Sequence, residues 1–416
     1  MSTQSTPSIL FTHTAPQQGF RLLELPPEVA DLLTSENPPT LYLKSPPTTS
    51  THLRFNHSDD GDALPREYVN LCTPTHTYRI RQVQSSNSLH ILRPDDGIAK
   101  GLLRSGDLAV VDSRAAAAVA ATQLGDGMDV DLNLAETVTT IAKCGSTLEL
   151  HVPEGGFGAR KILGSLLGRF ASLGDKRGVG GAGEVAAADT QVMEKVFADV
   201  PVSRKECELG WVEGCAFVWR GKAWAPTPEV KMEVWERVVN GAVVQGIDLR
   251  KQFLVADLWR SVMLEEEEQE GAEEGGRFPQ ALFEAVVRRV VEVEEGGLLL
   301  GDELKWASLD KDACVRWVGE TYLEAFAPMA SAAIGRSEFL NAWKDHLPEA
   351  WREEVALARL TDSVYKLPGP TTICFVTEFE RQRTKKNLST EASASTAAKK
   401  SRNWHELFKN QKRQKR

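Results

Sequence analysis

Gly178-Val179-Gly180-Gly181-Ala182-Gly183 reproduces the GxGxxG spacing that lets backbone N–H groups approach a pyrophosphate. That chemistry needs a strand delivering the first glycine and a helix opening on the last. The residues before it, Leu173 to Arg177 (LGDKR), do not read as a strand, so the run reads as a linker. No GxxxxGK[ST] loop and no GxSxG elbow occurs. The eight histidines are scattered without HExxH or HxH spacing, and the six cysteines (Cys72, Cys144, Cys207, Cys215, Cys314, Cys374) form no CxxC, so neither set offers a local metal site. The cysteines read as reduced core thiols of an intracellular protein. Carboxylates concentrate in acidic runs such as Glu265 to Glu268, the pattern of a solvated segment rather than of paired acid and base. The expectation is a protein without catalytic residues, cofactor or metal.

The chemistry that does stand out is electrostatic. From Arg381 to Arg416 there are twelve Lys or Arg against Glu391 and Glu406, so this stretch carries +10 and the other 380 residues carry −19 of the net −9. Such asymmetry points to a terminal arm aimed at an anionic partner, nucleic acid first among them. Within the arm, Trp404, Leu407 and Phe408 fall at i, i+3, i+4, one face of a short helix. A nuclear-targeting arm is the plainer reading; a small docking helix inside a phosphate-seeking arm is the sharper one. The triad matches a clamp-binding box only loosely, since Leu407 stands where an aromatic is wanted.

These groups need a scaffold, and 416 residues fit two to four domains. Residues 19–152 hold short apolar, often alternating runs (GFRLLEL, TLYLKS, YVNLCTP, TYRIRQV, SLHILR, DLAVVDS, TLELHVPEG), which predict an all-β, barrel-like domain over 19–170 with ARKILGSLLGRF as a capping helix. Residues 1–18 are expected to be a disordered N-terminus and 171–188 a Gly/Ala linker. No run approaches the length of apolar sequence that crosses a bilayer, and MSTQSTPSIL carries no secretory signal.

Beyond the linker, helices alternate with short strands. Trp224 to Trp235 and Trp306 to Trp317 are each eleven residues apart across a strand-to-helix junction. A third set follows, with SEFLNAWKDHLP and EAWREEVALARL as helices and a hairpin turned at Pro368-Gly369-Pro370. Three winged-helix domains are predicted, at 189–227, at 228–309 with a disordered acidic insertion over 265–276, and at 310–379, before a basic disordered tail over 380–416. The alternative is an irregular α+β domain whose junctions are alike by chance. The overall expectation is thus an α+β chain, a β-barrel-like domain followed by about three tandem winged helices. The presumed recognition helix of the last holds Glu349, Glu353 and Glu354 against Arg352 and Arg359, a poor match to duplex phosphates. DNA contact therefore falls to Lys344, to Lys366 in the wing, and to Arg381, Arg383, Lys385, Lys386, Lys399, Lys400, Arg402, Lys412 and Arg413, without sequence preference.

In FRLLELPPEVADLL, VNLCTPTHTYRIRQVQSSNSLHIL and TLELHVPEGGFGARKILGSLL, the chain resembles the Dcc subunit family of the sister-chromatid-cohesion clamp loader. The likeness rests on Phe20, Leu22 to Leu25, Leu71, Cys72, Thr77, Tyr78, Ser86, Asn87 and Leu148 to Leu150, and on the order of elements from about 19 to 378. The resemblance implies a nuclear, non-catalytic subunit of the alternative replication factor C complex, whose β-domain forms a shared triple-barrel module with the large clamp-loader subunit and a small cohesion subunit. It further implies contact with DNA polymerase epsilon, and action on PCNA through the complex. An incompletely closed sheet leaves edges that need partners, and Phe20, Leu23, Leu25, Tyr78 and Ile80, with Trp404, Leu407 and Phe408 of the tail, are the expected partner-binding residues. Two other classes stay open: a winged-helix transcription regulator, which would want a basic recognition helix, and a nucleotide-dependent enzyme built on the glycine run.

Overall fold

A computed structural model describes residues 10–13, 18–46, 68–94, 108–109, 137–153, 155–172, 186–269, 279–293, 300, 304–361, 363–377 and 380–381. The chain divides into two compact units, Met1–Ser45 with Pro65–Pro153, and Pro46–Leu64 with Glu154–Arg416. The described chain is mixed α and β, with several small sheets in addition to one large one.

The first unit is one seven-stranded sheet in the order β3-β4-β5-β7-β1-β6, with β2 also on β7. Its strands are β1 (Leu10–His13), β2 (Leu22–Glu24), β3 (Tyr42–Lys44), β4 (Asn70–Cys72), β5 (Thr77–Pro94), β6 (Leu108–Ala109) and β7 (Thr137–His151), and helix α1 (Pro27–Thr34) follows β2. The expected barrel does not close among the described residues. β5 and β7 instead form a long antiparallel ribbon, and the far side of β7 is shared by two short parallel strands, β1 and β2. The sequence runs TYRIRQV and SLHILR, separated by serines, are one strand. The chain stays extended through Ser85 to Ser88, and the ladder slips between Gln84 and Leu89, as a bulge does when one strand carries extra residues. Helix α1 was not expected. It starts behind Pro26 with Pro27 pre-set for a first helical turn, and buries Val29.

The elements of the second unit can be taken in three sets of related but not identical order. The first set is α2 (Ala159–Leu166), β8 (Gly168–Phe170), α3 (Ala186–Asp199), α4 (Arg204–Gly214), β9 (Phe217–Trp219) and β10 (Lys222–Pro226), with sheet order β8-β10-β9. The second is α5 (Pro228–Gln245), β11 (Phe253–Leu254), α6 (Val255–Gln269), α7 (Gln280–Val290) and β12 (Trp306–Ala307), where Val291 bridges Leu309. The third is α8 (Lys311–Phe326), β13 (Ile334–Gly335), α9 (Arg336–Asp345), two 3₁₀ turns at Glu349–Glu354 and Leu357–Arg359, then β14 (Tyr365–Lys366) and β15 (Thr372–Phe375), with sheet order β13-β15-β14.

The segment expected to cap the β-domain belongs to this unit. Helix α2 crosses α4 at Gly210, where an added Cβ would lie 2.8 Å from the Arg160 amide nitrogen, and β8 pairs with β10. Helix α6 likewise continues through Gln269 into the acidic run expected to be a disordered insertion. The last expected helix, EAWREEVALARL, is not one. Trp351, Val355, Leu357 and Leu360 all reach the core, and their spacing of four, two and three does not keep them on one α-helical face, so the chain breaks into two tight turns around Val355.

Two hydrophobic clusters hold this unit. The smaller joins Leu163, Met193, Phe197, Val200, Val202, Cys207, Trp211 and Ala216; the larger runs from Phe170 to Cys374. Of the four tryptophans at the two junctions, Trp235 and Trp317 meet inside it, packing edge to face at 5.8 Å and tying α5 to α8. Trp235 Nε1 donates to the His346 carbonyl at 2.8 Å, and Trp343 Nε1 to the Val315 carbonyl at 2.8 Å. Cα to ring contact at Gly319 is so close that a Cβ there would stand 2.5 Å from Trp343 Cε2. All six cysteines are buried free thiols. Burial pushes the Cys215 and Cys314 thiols above their ordinary range, so neither is poised as a nucleophile.

Candidate functional site

Because directly paired residues share a face, the registers of the first unit define a continuous apolar stripe. Leu43 stands opposite Leu71, Leu71 opposite Tyr78, Ile80 opposite Leu150, and Leu23 opposite Leu148. The stripe therefore crosses β3, β4, β5, β7 and β2 on one side of the sheet. The other side is polar: Glu24 pairs with Glu149, Arg81 donates to Glu149 Oε2 at 3.0 and 2.8 Å, and Arg79 lies over the Tyr68 ring at 4.1 Å. A sheet so divided needs something laid on its leucine face. Leu43 keeps 67% of its surface exposed and Leu23 37%, Tyr78, Ile80, Leu148 and Leu150 are half-buried, and Leu71 in the middle of the stripe is buried. Neither hydrophobic cluster includes a described residue of this unit.

Of the expected partner-binding residues, Leu23, Tyr78 and Ile80 fall on this face together. Phe20 lies ahead of β2, is 42% exposed and accepts a hydrogen bond on its carbonyl from Cys144 Sγ at 3.6 Å. Leu25 follows β2 and is half-buried. Leu43, Leu148 and Leu150 were not among the expected partner residues, although the alternation in LYLK and TLELH carried the signal. Trp404, Leu407 and Phe408 lie outside the described residues.

The basic candidates come together less. Lys344 is half-buried in the last turn of α9. Lys366 sits in β14 with its Nζ 3.3 Å from Glu380 Oε1, and Arg381, half-buried, follows that glutamate. Arg383, Lys385, Lys386, Lys399, Lys400, Arg402, Lys412 and Arg413 lie outside the described residues. At the position of the presumed recognition helix, Arg359 is engaged by Glu354 and by Asp312 at 3.3 Å, and Lys311 also pairs with Glu354, at 2.7 Å. These pairs, led by the Lys311 hydrogen bond, draw the Glu354 carboxyl below its ordinary range. Cations already satisfied by carboxylates are poor phosphate ligands.

No group of His, Cys, Asp and Glu that could hold a metal occurs among the described residues, and no described helix is long and apolar enough to cross a membrane. The glycine run at 178–183 lies outside the described residues.

The first unit is thus an amphipathic sheet with a partly exposed leucine face, joined in sequence to a helical unit with its own buried core. The chain's sequence matches the family model of sister chromatid cohesion protein Dcc1 over residues 20–383, and the chain belongs to that family. Membership implies a role in sister chromatid cohesion and, with it, partners in a complex. No curated protein matches the chain.

Proposed function

We propose that this chain is a non-catalytic subunit of the alternative, cohesion-linked replication factor C clamp loader, acting in the nucleus on the loading or unloading of PCNA. The observation that carries the reading is the leucine face of the first unit, which spans five strands and joins no hydrophobic cluster. A sheet of this kind gains its missing core from other chains, which supports a barrel module completed by the large clamp-loader subunit and the small cohesion subunit. In the second unit, the related order of helix, strand, one or two further helices and returning strands supports a reading as three winged-helix repeats, offered to DNA polymerase epsilon and to DNA. The acidic, internally paired segment from Glu349 to Arg359 argues against base readout, and so against the transcription-regulator alternative. DNA contact is assigned to the basic stretch after Thr377 and is electrostatic.

The test is co-expression of the full chain with the two barrel partners, followed by limited proteolysis. Alone, the chain should be cut first within residues 18–153 while the helical unit resists; with partners, both should resist. Equal resistance of the two units in the chain alone would refute the reading.

A further inference from the structure

A groove opens in the helical unit where the end of α5 faces the start of the 3₁₀ turn at Glu349. Val239, Val243, Ile247 and Leu249 line one side and Ala350 and Trp351 the other, around a cavity of about 170 Å³. An apolar cavity of about 150 Å³ holds one benzene ring, so this one is sized for a single aromatic side chain. Val243 and the neighbouring Val244 keep 75% and 72% of their surfaces exposed, and carry the apolar surface past the rim. Trp351 is buried, yet its Nε1 has no hydrogen-bond partner among the described residues, which leaves that side one acceptor short. The charges at the rim are unequal. Asp248 is taken up by Arg250 at 2.9 and 3.0 Å and by Lys251 at 3.7 Å, whereas Glu349 is exposed and forms no ion pair among the described residues. A fitting occupant brings one aromatic ring, more apolar residues on the same face, and a cation next to the ring.

The chain itself holds such a segment. Trp404, Leu407 and Phe408 are spaced for one helical face, and Lys409 follows Phe408 directly. Anchors at i, i+3 and i+4 are those by which a short helix lies in an apolar groove. Arg381, the last described residue, follows β15, in the same set of elements as Trp351. From there to Trp404 are twenty-three residues, which reach up to about 80 Å. Linkage through such a length acts as an effective concentration on the order of a millimolar, so a contact too weak to hold separate molecules is occupied within one. The charge of +10 from Arg381 onward, against −19 on the remaining residues, favours the same contact. We propose that residues 404–408 dock in this groove of their own chain, with Phe408 in the cavity, Trp404 and Leu407 along Val239 and Val243, and Lys409 beside Glu349.

The test places the photocrosslinker p-benzoylphenylalanine at position 408 of the full chain and maps its crosslinks by mass spectrometry. Crosslinks within one molecule to residues 239–250 and 348–351 are expected, in a yield that does not depend on protein concentration. The yield should fall about fivefold in Val243→Lys and in Ala350→Lys, which set a like charge on either side of the groove, and stay unchanged in Leu209→Lys on the exposed face of α4. Crosslinks between molecules that rise with concentration would give the groove to a second copy and overturn the proposal. Crosslinks only outside the groove, or native yield in both groove variants, would overturn it as well. Should one variant lack the native melting transition, the other decides together with the map of the unsubstituted groove.

Discussion

Removing leucine side chains from the uncovered sheet face should weaken assembly without weakening the fold. Leu43 and Leu23 keep 67% and 37% of their surfaces exposed. Full burial of a leucine is worth about 2 kcal/mol, so covering what each still exposes contributes about 1.3 and about 0.7 kcal/mol. The double variant Leu43→Ala/Leu23→Ala therefore forfeits roughly 2 kcal/mol of partner binding, a factor of about 30 in dissociation constant. Its effect on folding should stay small, near 0.5 kcal/mol, for Leu43, and larger for the better covered Leu23. Titration of the chain with the purified barrel partners by calorimetry, with denaturant melts in parallel, separates the two quantities. Val243→Ala in α5 is the control, since Val243 is also exposed but lies in the other unit. The reasoning fails if the double variant binds within twofold of the native chain, or if the control weakens binding as much.

Gly319→Ala should destabilise the helical unit. The new methyl gains up to about 1 kcal/mol of helix propensity, yet forcing it to 2.5 Å from a tryptophan ring pinned by its own hydrogen bond costs about 1 to 3 kcal/mol, so a lowered melting temperature is expected. Ser203→Ala removes the capping box of α4, in which Ser203 Oγ accepts from the Glu206 amide at 3.3 Å and Glu206 accepts from the Ser203 amide at 3.3 Å, and should cost about 1 to 2 kcal/mol in urea melts. Asp248 is hydrogen-bonded by Arg250, which holds its carboxyl at about 2. Because that folded value lies below the ordinary one, its contribution is present above the unfolded pKa near 4 and is lost as pH falls through about 2; an NMR titration should show this midpoint and Arg250→Gln should raise it. Deleting residues 399–416 should lower DNA affinity and flatten its salt dependence, and an unchanged slope would refute the tether.

The helices were legible where each buries one regular face. In α5, Val230, Val234, Trp235 and Val238 recur at helical spacing and all are buried, and Trp235 and Trp317, singled out by their spacing, pack against each other. Helix α6 was not read from the sequence although Val255, Leu258 and Val262 are buried at i, i+3 and i+7, because the acidic run behind them has the composition of a solvated segment. What sequence could not fix was pairing. Nothing local says that Gln82 stands opposite Leu148, or that β2 joins β7 from the other side, so the leucine face was visible only as separate alternating runs. The 3₁₀ turns escaped for a different reason, since EAWREEVALARL is composed of good helix formers and tertiary demand for Trp351 and Leu357 overrode propensity.

The two units thus solve the burial problem differently, and the difference orders their assembly. The helical unit packs Trp235 on Trp317 and buries a continuous core from Phe170 to Cys374. Among its described residues, the sheet unit buries the apolar side chains of Val29, Leu71, Cys72, Ala142 and Cys144, and none of them joins either hydrophobic cluster. On the function proposed above, binding covers its leucine face, which makes the strength of that binding a part of its folding free energy. With partner present, a variant that loosens the face should therefore lower the melting of the sheet and raise the concentration of partner needed to protect it, while leaving the transition of the helical unit where it was.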